Sequence, residues 1–105
     1  MITEDEAEDA ANWLVKNYKE IAAAKAQRTY MEEYKKSMKA ILFQNYTGTV
    51  ADREAGAYSD PKYIRHIEEL KEAVLKDEEF RALKCAAELK IQVYQTQSAN
   101  LRGLK

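Results

Sequence analysis

The chain is poor in everything that interrupts or cross-links a fold. Its 105 residues contain three glycines, one proline, one cysteine and one histidine. The lone Cys85 excludes an internal disulfide framework and fits a reducing compartment. One histidine and one cysteine cannot build a zinc centre. The Glu-x-x-His pairs of di-iron bundles are also missing. "YTGTV" (residues 46–50) lacks the Gly-Lys-Ser/Thr ending of a phosphate loop. No apolar run approaches the roughly 20 residues of a membrane span. The acidic start "MITEDEAEDA" is the opposite of a leader peptide. A net charge of -1 gives no global field to attract nucleic acid. Together these features predict a cytoplasmic chain with no cofactor, no metal, no membrane association and no catalytic residues.

What remains is helix. Charged residues at 33% and apolar ones at 46%, with so few breakers, match long helices or coiled coils. Thr3 with Glu6 forms a capping-box pattern, and the acids that follow suit a helix N-terminus. The first helix is predicted over about 3–43, some 60 Å long. Its apolar stripe is Ala10, Leu14, Ile21, Ala24, Met31, Tyr34, Met38, Ile41 and Leu42. Seven-residue spacings recur within it, diluted by Asn17 and Arg28. Turn formers and Gly48 end this helix near Gln44. Thr49 and Asp52 open a short helix that Gly56 should fray, so turn and short helix fill about 44–60. Asp60 as cap and Pro61 at the first helical position start the second long helix, about 61–100, followed by a short tail. Tyr63, Ile67, Leu70 and Val74 form its first stripe. The stripe restarts out of phase as Phe80, Leu83, Ala87, Tyr94 and Leu101, which predicts a break or kink near Asp77. Ala82, Ala86, Leu89 and Val93 add a second apolar face, so this segment is expected to be the most buried.

Charge places the two helices against each other. Residues 1–10 carry five acids and no base, and residues 81–105 five bases against one acid. Residues 11–42 carry seven bases against three acids, and residues 43–80 five against nine. Folding at Gly48 brings opposite signs together along an antiparallel hairpin, at a few tenths of a kcal/mol per exposed pair. One hairpin seam leaves apolar surface over, which predicts a homodimer forming a four-helix bundle, the alternative being that the short central segment folds back as a third helix to cover part of it. The expected core and dimer seam residues are Leu14, Ile21, Met31, Met38, Ile67, Leu70, Val74, Phe80, Leu83 and Leu89. His66 and Glu69 read as a solvated pair on one face, and Cys85 as a small packed residue.

Contact with nucleic acid is the competing reading. Lys35, Lys36 and Lys39 lie among tyrosines whose rings could stack on unpaired bases. Tyr94, Arg102 and Lys105 add a basic C-terminal end. Tyr46, Tyr58 and Tyr63 surround the central turn, where half-wet rings would suit a partner site. The blander account makes Tyr34 core and the lysines a solvated outer face.

Several pieces of the chain carry a resemblance: Tyr34-Lys35-Lys36, Arg53-Glu54-Ala55, Asp60-Pro61-Lys62-Tyr63 and the closing Gln97-Ser98-Ala99-Asn100-Leu101-Arg102. Between about Tyr30 and Arg102 the chain resembles a family of small helical proteins of tailed bacteriophages and prophages. The resemblance implies genes grouped with early recombination and replication functions, and so an accessory role in DNA metabolism. It supplies no active site. Three functions follow as expectations: an accessory protein acting on a phage or host protein, a single-strand DNA binder using Lys35, Lys36, Lys39, Tyr46, Tyr58, Tyr94 and Arg102, or an inhibitor of a host enzyme.

Overall fold

The computed structural model describes residues 1–103, so Lys105 of the basic end lies outside the described residues. They form three helices and no strand: α1 (Glu4–Asn45), α2 (Val50–Ser59) and α3 (Pro61–Gly103). No helix among them is long and apolar enough to cross a membrane.

Local chemistry sets each boundary. Thr3 Oγ1 accepts from the Glu6 N–H at 3.1 Å, and its hydroxyl donates to the Glu6 carboxylate. This satisfies donors that the first helical turn would otherwise leave orphaned. The last turn of α1 has no basic residue of its own. Arg53 of α2 supplies the charge, donating through Nε to the Phe43 carbonyl at 3.2 Å with its guanidinium 4.2 Å above the Phe43 ring. A cation at exposed carbonyls complements the negative end of the helix dipole. Gly48 has φ +110°, a conformation that side chains disfavour. Thr49 and Asp52 then close a reciprocal capping box on α2. Asp60 ends α2 and begins α3, its Oδ1 accepting from the Lys62 N–H at 2.8 Å.

The helices assemble into two compact units. The first joins Met1–Ala23 to α3 from Glu78 onward, and the second comprises Ala24–Asp77. In both, higher numbers on α1 meet lower numbers on α3. Ile2 exchanges backbone hydrogen bonds with the Gln97 amide in the first unit. Arg28 meets Asp77, and Met31 meets His66, in the second.

Burial along both long helices follows a strict alternation of three and four residues, as in a coiled-coil seam. On α1 the buried or half-buried positions include 7, 10, 14, 17, 21, 24, 28, 31, 35, 38 and 42. On α3 the same spacing runs 63, 66, 70, 73, 77, 80, 87, 91, 94 and 98, with the exposed Lys84 at the position between 80 and 87. The seam of α3 therefore keeps its phase, and the helix passes Asp77 without a break. The apparent slip has a physical cause: His66 and Asp77 occupy inward positions, whereas the apolar Ile67, Leu83 and Leu101 point outward.

The first unit is cored by Ala7, Ala10 and Ala87, with Leu14, Ile21, Phe80 and Tyr94 half-buried around them. The second buries Ala24, Met31, Leu42, Ala57 and His66, with Met38, Leu70 and Val74 half-buried. Of the expected seam residues, Ile67, Leu83 and Leu89 remain 37%, 52% and 59% exposed within the chain. The same holds for Tyr34 and Ile41 of the predicted α1 stripe. The C-terminal half of α3 is thus covered on one face, where two had been expected.

Candidate interaction surfaces

Three groups of residues carry specific geometry. The first is polar and lies in the seam of the second unit. Arg28 Nη1 meets Asp77 Oδ2 at 3.2 Å and Arg28 Nε meets Glu32 Oε1 at 2.9 Å. His66, the one buried polar residue among those described, sets Nε2 2.8 Å from the Met31 carbonyl oxygen. An acceptor at that distance requires the proton on Nε2. Its ring tilts against Tyr34 at 5.5 Å, and Tyr34 stacks on the exposed Tyr30 at 5.9 Å. The histidine is therefore a packed seam residue, in contrast to the solvated pair with Glu69 expected from spacing. Burial here is set by its partner on α1.

The second group surrounds the α1–α2–α3 connection. Tyr46 donates to Asp60 Oδ2 at 2.8 Å, and its ring lies over Gly56. A methyl group on Gly56 would fall 2.5 Å from Tyr46 Cδ1. This close approach explains a glycine inside a helix, and α2 continues through it rather than fraying. The bond from Lys62 N–H, then that from Tyr46, holds the Asp60 carboxyl below its ordinary range. The same carboxylate raises the Tyr46 phenol above its own. Tyr58 is about half exposed, meets Tyr63 edge to face at 5.4 Å, and lies beneath Lys39 Nζ at 4.5 Å. Hydrogen bonding to Tyr58 raises the Lys39 ammonium above the usual lysine value.

These placements divide the residues expected to touch nucleic acid. Lys35 and Tyr94 are half-buried at inward positions of α1 and α3. Lys36 is exposed and 3.4 Å from Glu33. Lys39 covers a tyrosine ring, and Tyr46 is committed to Asp60. Tyr58 and Arg102 remain exposed, the former in the second unit and the latter in the last turn of α3 in the first. The acids Glu4, Asp5 and Glu6 make no ion pair with α3 among the described residues, although Glu6 and Asp9 line one groove with Lys90 of α3. No group of three His, Cys, Asp or Glu side chains gathers as a metal-ligand set among the described residues.

The third group is apolar. On α3 in the first unit, Ala82, Ala86, Leu89 and Val93 are all exposed. At 100° per residue they form one stripe about 150° around the helix from the inward positions 80, 87, 91 and 94. Beside it runs a groove of about 300 Å³ lined by Glu6, Asp9, Ala10 and Trp13 of α1 and by Leu83, Ala86, Ala87 and Lys90 of α3, an apolar floor with charged residues at its rim. Cys85 flanks the stripe and is exposed, not packed as expected, because this side of α3 faces away from α1. The stripe was visible in the sequence; that it would lie open was not. The chain matches no protein-family model, no curated protein and no solved structure.

Proposed function

We propose that the chain is a non-enzymatic accessory protein of a bacteriophage or prophage, active in the host cytoplasm. On this reading it supports DNA recombination or replication through protein–protein contacts and acts as a homodimer. The observation that carries the reading is the open apolar face of α3 in a chain whose core is thin. Among the described residues, five of the seven buried apolar ones are alanine, and no large side chain is fully buried. The chain presents 7942 Å² to solvent. A compact monomer of 12.1 kDa would present roughly 6,000 Å². The excess is larger than the roughly 800 Å² that each partner loses in a standard interface, so one such contact fits within it. The phage setting rests on the resemblance carried by Tyr34–Lys36, Arg53–Ala55, Asp60–Tyr63 and Gln97–Arg102.

Direct binding of single-stranded DNA is the second reading, and the exposed Tyr30–Tyr34 stack supports it. Against it stand Lys35 and Tyr94 at inward positions and Lys39 held over Tyr58. Fluorescence anisotropy of a labelled single-stranded oligonucleotide separates the two. A protein-directed chain gives no binding at physiological salt, because any residual phosphate attraction is screened. Binding that survives physiological salt and weakens on Tyr30→Ala would replace the proposal with the second reading.

A further inference from the structure

The open stripe on α3 has the layout of a short, bounded seam. Ala82, Ala86, Leu89 and Val93 are spaced four, three and four, as the a and d positions of a heptad. Continuing the spacing in either direction meets a polar residue, Glu79 on one side and Thr96 on the other. One turn carrying small side chains is followed by one turn carrying larger ones. Leu89 is 59% exposed and Val93 37%, while the neighbouring Leu83 is 52% exposed. We infer that this stripe binds the same stripe of a second copy, antiparallel about a two-fold axis between Ala86 and Leu89. The inference rests on the homodimer reading above and names its surface.

Three features select this occupant and this direction. First, antiparallel pairing sets Ala82 against Val93 of the other copy and Ala86 against its Leu89. Small then meets large at every level, and the facing side chains interdigitate. Parallel pairing would stack alanine on alanine and leucine on leucine, leaving a gap at one end and crowding at the other. Second, the boundary residues agree. Parallel pairing brings two Glu79 carboxylates together, whereas antiparallel pairing sets each Glu79 against a Thr96 hydroxyl that can donate to it. Third, the flanking positions carry no conflict. Lys90 falls beside Leu83 of the second copy and Cys85 beside its Gln92, so each flank residue has an uncharged neighbour nearest its own level. The contact is self-complementary and closes on itself, as a two-fold interface must. Joining two α1–α3 pairs in this way yields four packed helices.

The test uses the full chain and three measurements. Sedimentation equilibrium is expected to give twice the 12.1 kDa chain mass. Leu89→Lys is expected to give the single-chain mass with unchanged far-UV circular dichroism, since Leu89 is mostly exposed within the chain. The single Trp13 lines the adjoining groove, so its emission should shift with concentration in the parent and not in Leu89→Lys. In a Cys85→Ser background, Ala82→Cys with Val93→Cys should oxidise to a cross-linked dimer, while Ala82→Cys alone should not. A monomeric parent chain would overturn the second copy as occupant and leave the face to a helix of another protein. A dimer indifferent to Leu89→Lys would overturn this face while leaving the homodimer standing. Cross-linking by Ala82→Cys alone would overturn the antiparallel direction. None of these results depends on the oligonucleotide titration, so the surface and the proposed function fail separately.

Discussion

Replacing Arg28 and Asp77 by leucine, singly and together, tests the seam of the second unit at its most informative point. Both are inward heptad positions, with side chains 28% and 15% exposed, joined at 3.2 Å. Arg28→Leu strips a carboxylate of its guanidinium where little water can replace it. Breaking a fully buried pair this way costs about 3–5 kcal/mol. Discounting for partial exposure leaves about 2–4 kcal/mol. Asp77→Leu is milder, because Arg28 keeps Glu32 at 2.9 Å. A lost charge-assisted hydrogen bond of about 1.5–3 kcal/mol is then partly offset by apolar burial. The double variant restores an apolar seam at both positions and should be neutral or more stable than the parent. The singles therefore cannot add, and the coupling should be about 2 kcal/mol or more. Urea unfolding followed by circular dichroism reads the cycle. In thermal melts the Arg28→Leu loss corresponds to roughly 8 °C or more at this chain length. Additive singles, with coupling under about 0.5 kcal/mol, would refute the engagement of these two residues within the seam.

The connection between the helices makes two further predictions. Gly56→Ala gains about 1 kcal/mol of helix propensity but drives a methyl group into the Tyr46 ring, an overpacking cost of about 1–3 kcal/mol. The variant should be the less stable one, and loss of stability should vanish in a Tyr46→Ala background; a stabilised Gly56→Ala with Tyr46 present would contradict the packing. Asp60 has a lowered folded pKa, so its contribution is complete above the ordinary aspartate value and is lost as pH falls through the folded one. Tyr46 has a raised one, so its bond to Asp60 persists past pH 10 and is lost as pH rises through the folded value. A tyrosinate absorbance titration of the parent against Tyr46→Phe should show one phenol titrating late, and Asp60→Asn should remove the delay.

The parts of this fold that are legible in the sequence are those whose physics is local. Thr3, Thr49 with Asp52, and Asp60 with Pro61 mark helix starts because a cap satisfies donors within its own turn. The seam of α1 is readable because Ala10, Leu14, Ile21, Ala24, Met31 and Leu42 hold the phase across Asn17, Arg28 and Lys35. On α3 apolarity misleads. His66 and Asp77 face inward because partners on α1 satisfy them, and a reader following hydrophobic residues alone is pulled onto Ile67 and Leu83. An unbroken three–four spacing from Tyr63, with a base at position 28 and an acid at 77, was the available signal. The role of Gly56 was not readable, since the ring that requires it arrives from another helix.

The two units spend their side chains differently, and the difference bears on function. The second unit buries Met31, Leu42 and His66 and fixes its pairing with the Arg28–Asp77 bridge. Half-buried polar pairs in a helical seam can fix register while adding little net stability. The first unit buries only Ala7, Ala10 and Ala87, which bring backbones close but remove little apolar area from water. Its larger aliphatic residues Leu83, Leu89 and Val93 lie on the open side of α3. A chain selected to be stable alone would gain by turning such residues inward against α1, at about 25 cal/mol for each Å² covered. Keeping alanine inside and leucine outside makes sense when the outer face has a partner of its own. The alanines then let α1 and α3 pack closely, and in the proposed dimer the second copy would cover the apolar area that one chain leaves exposed.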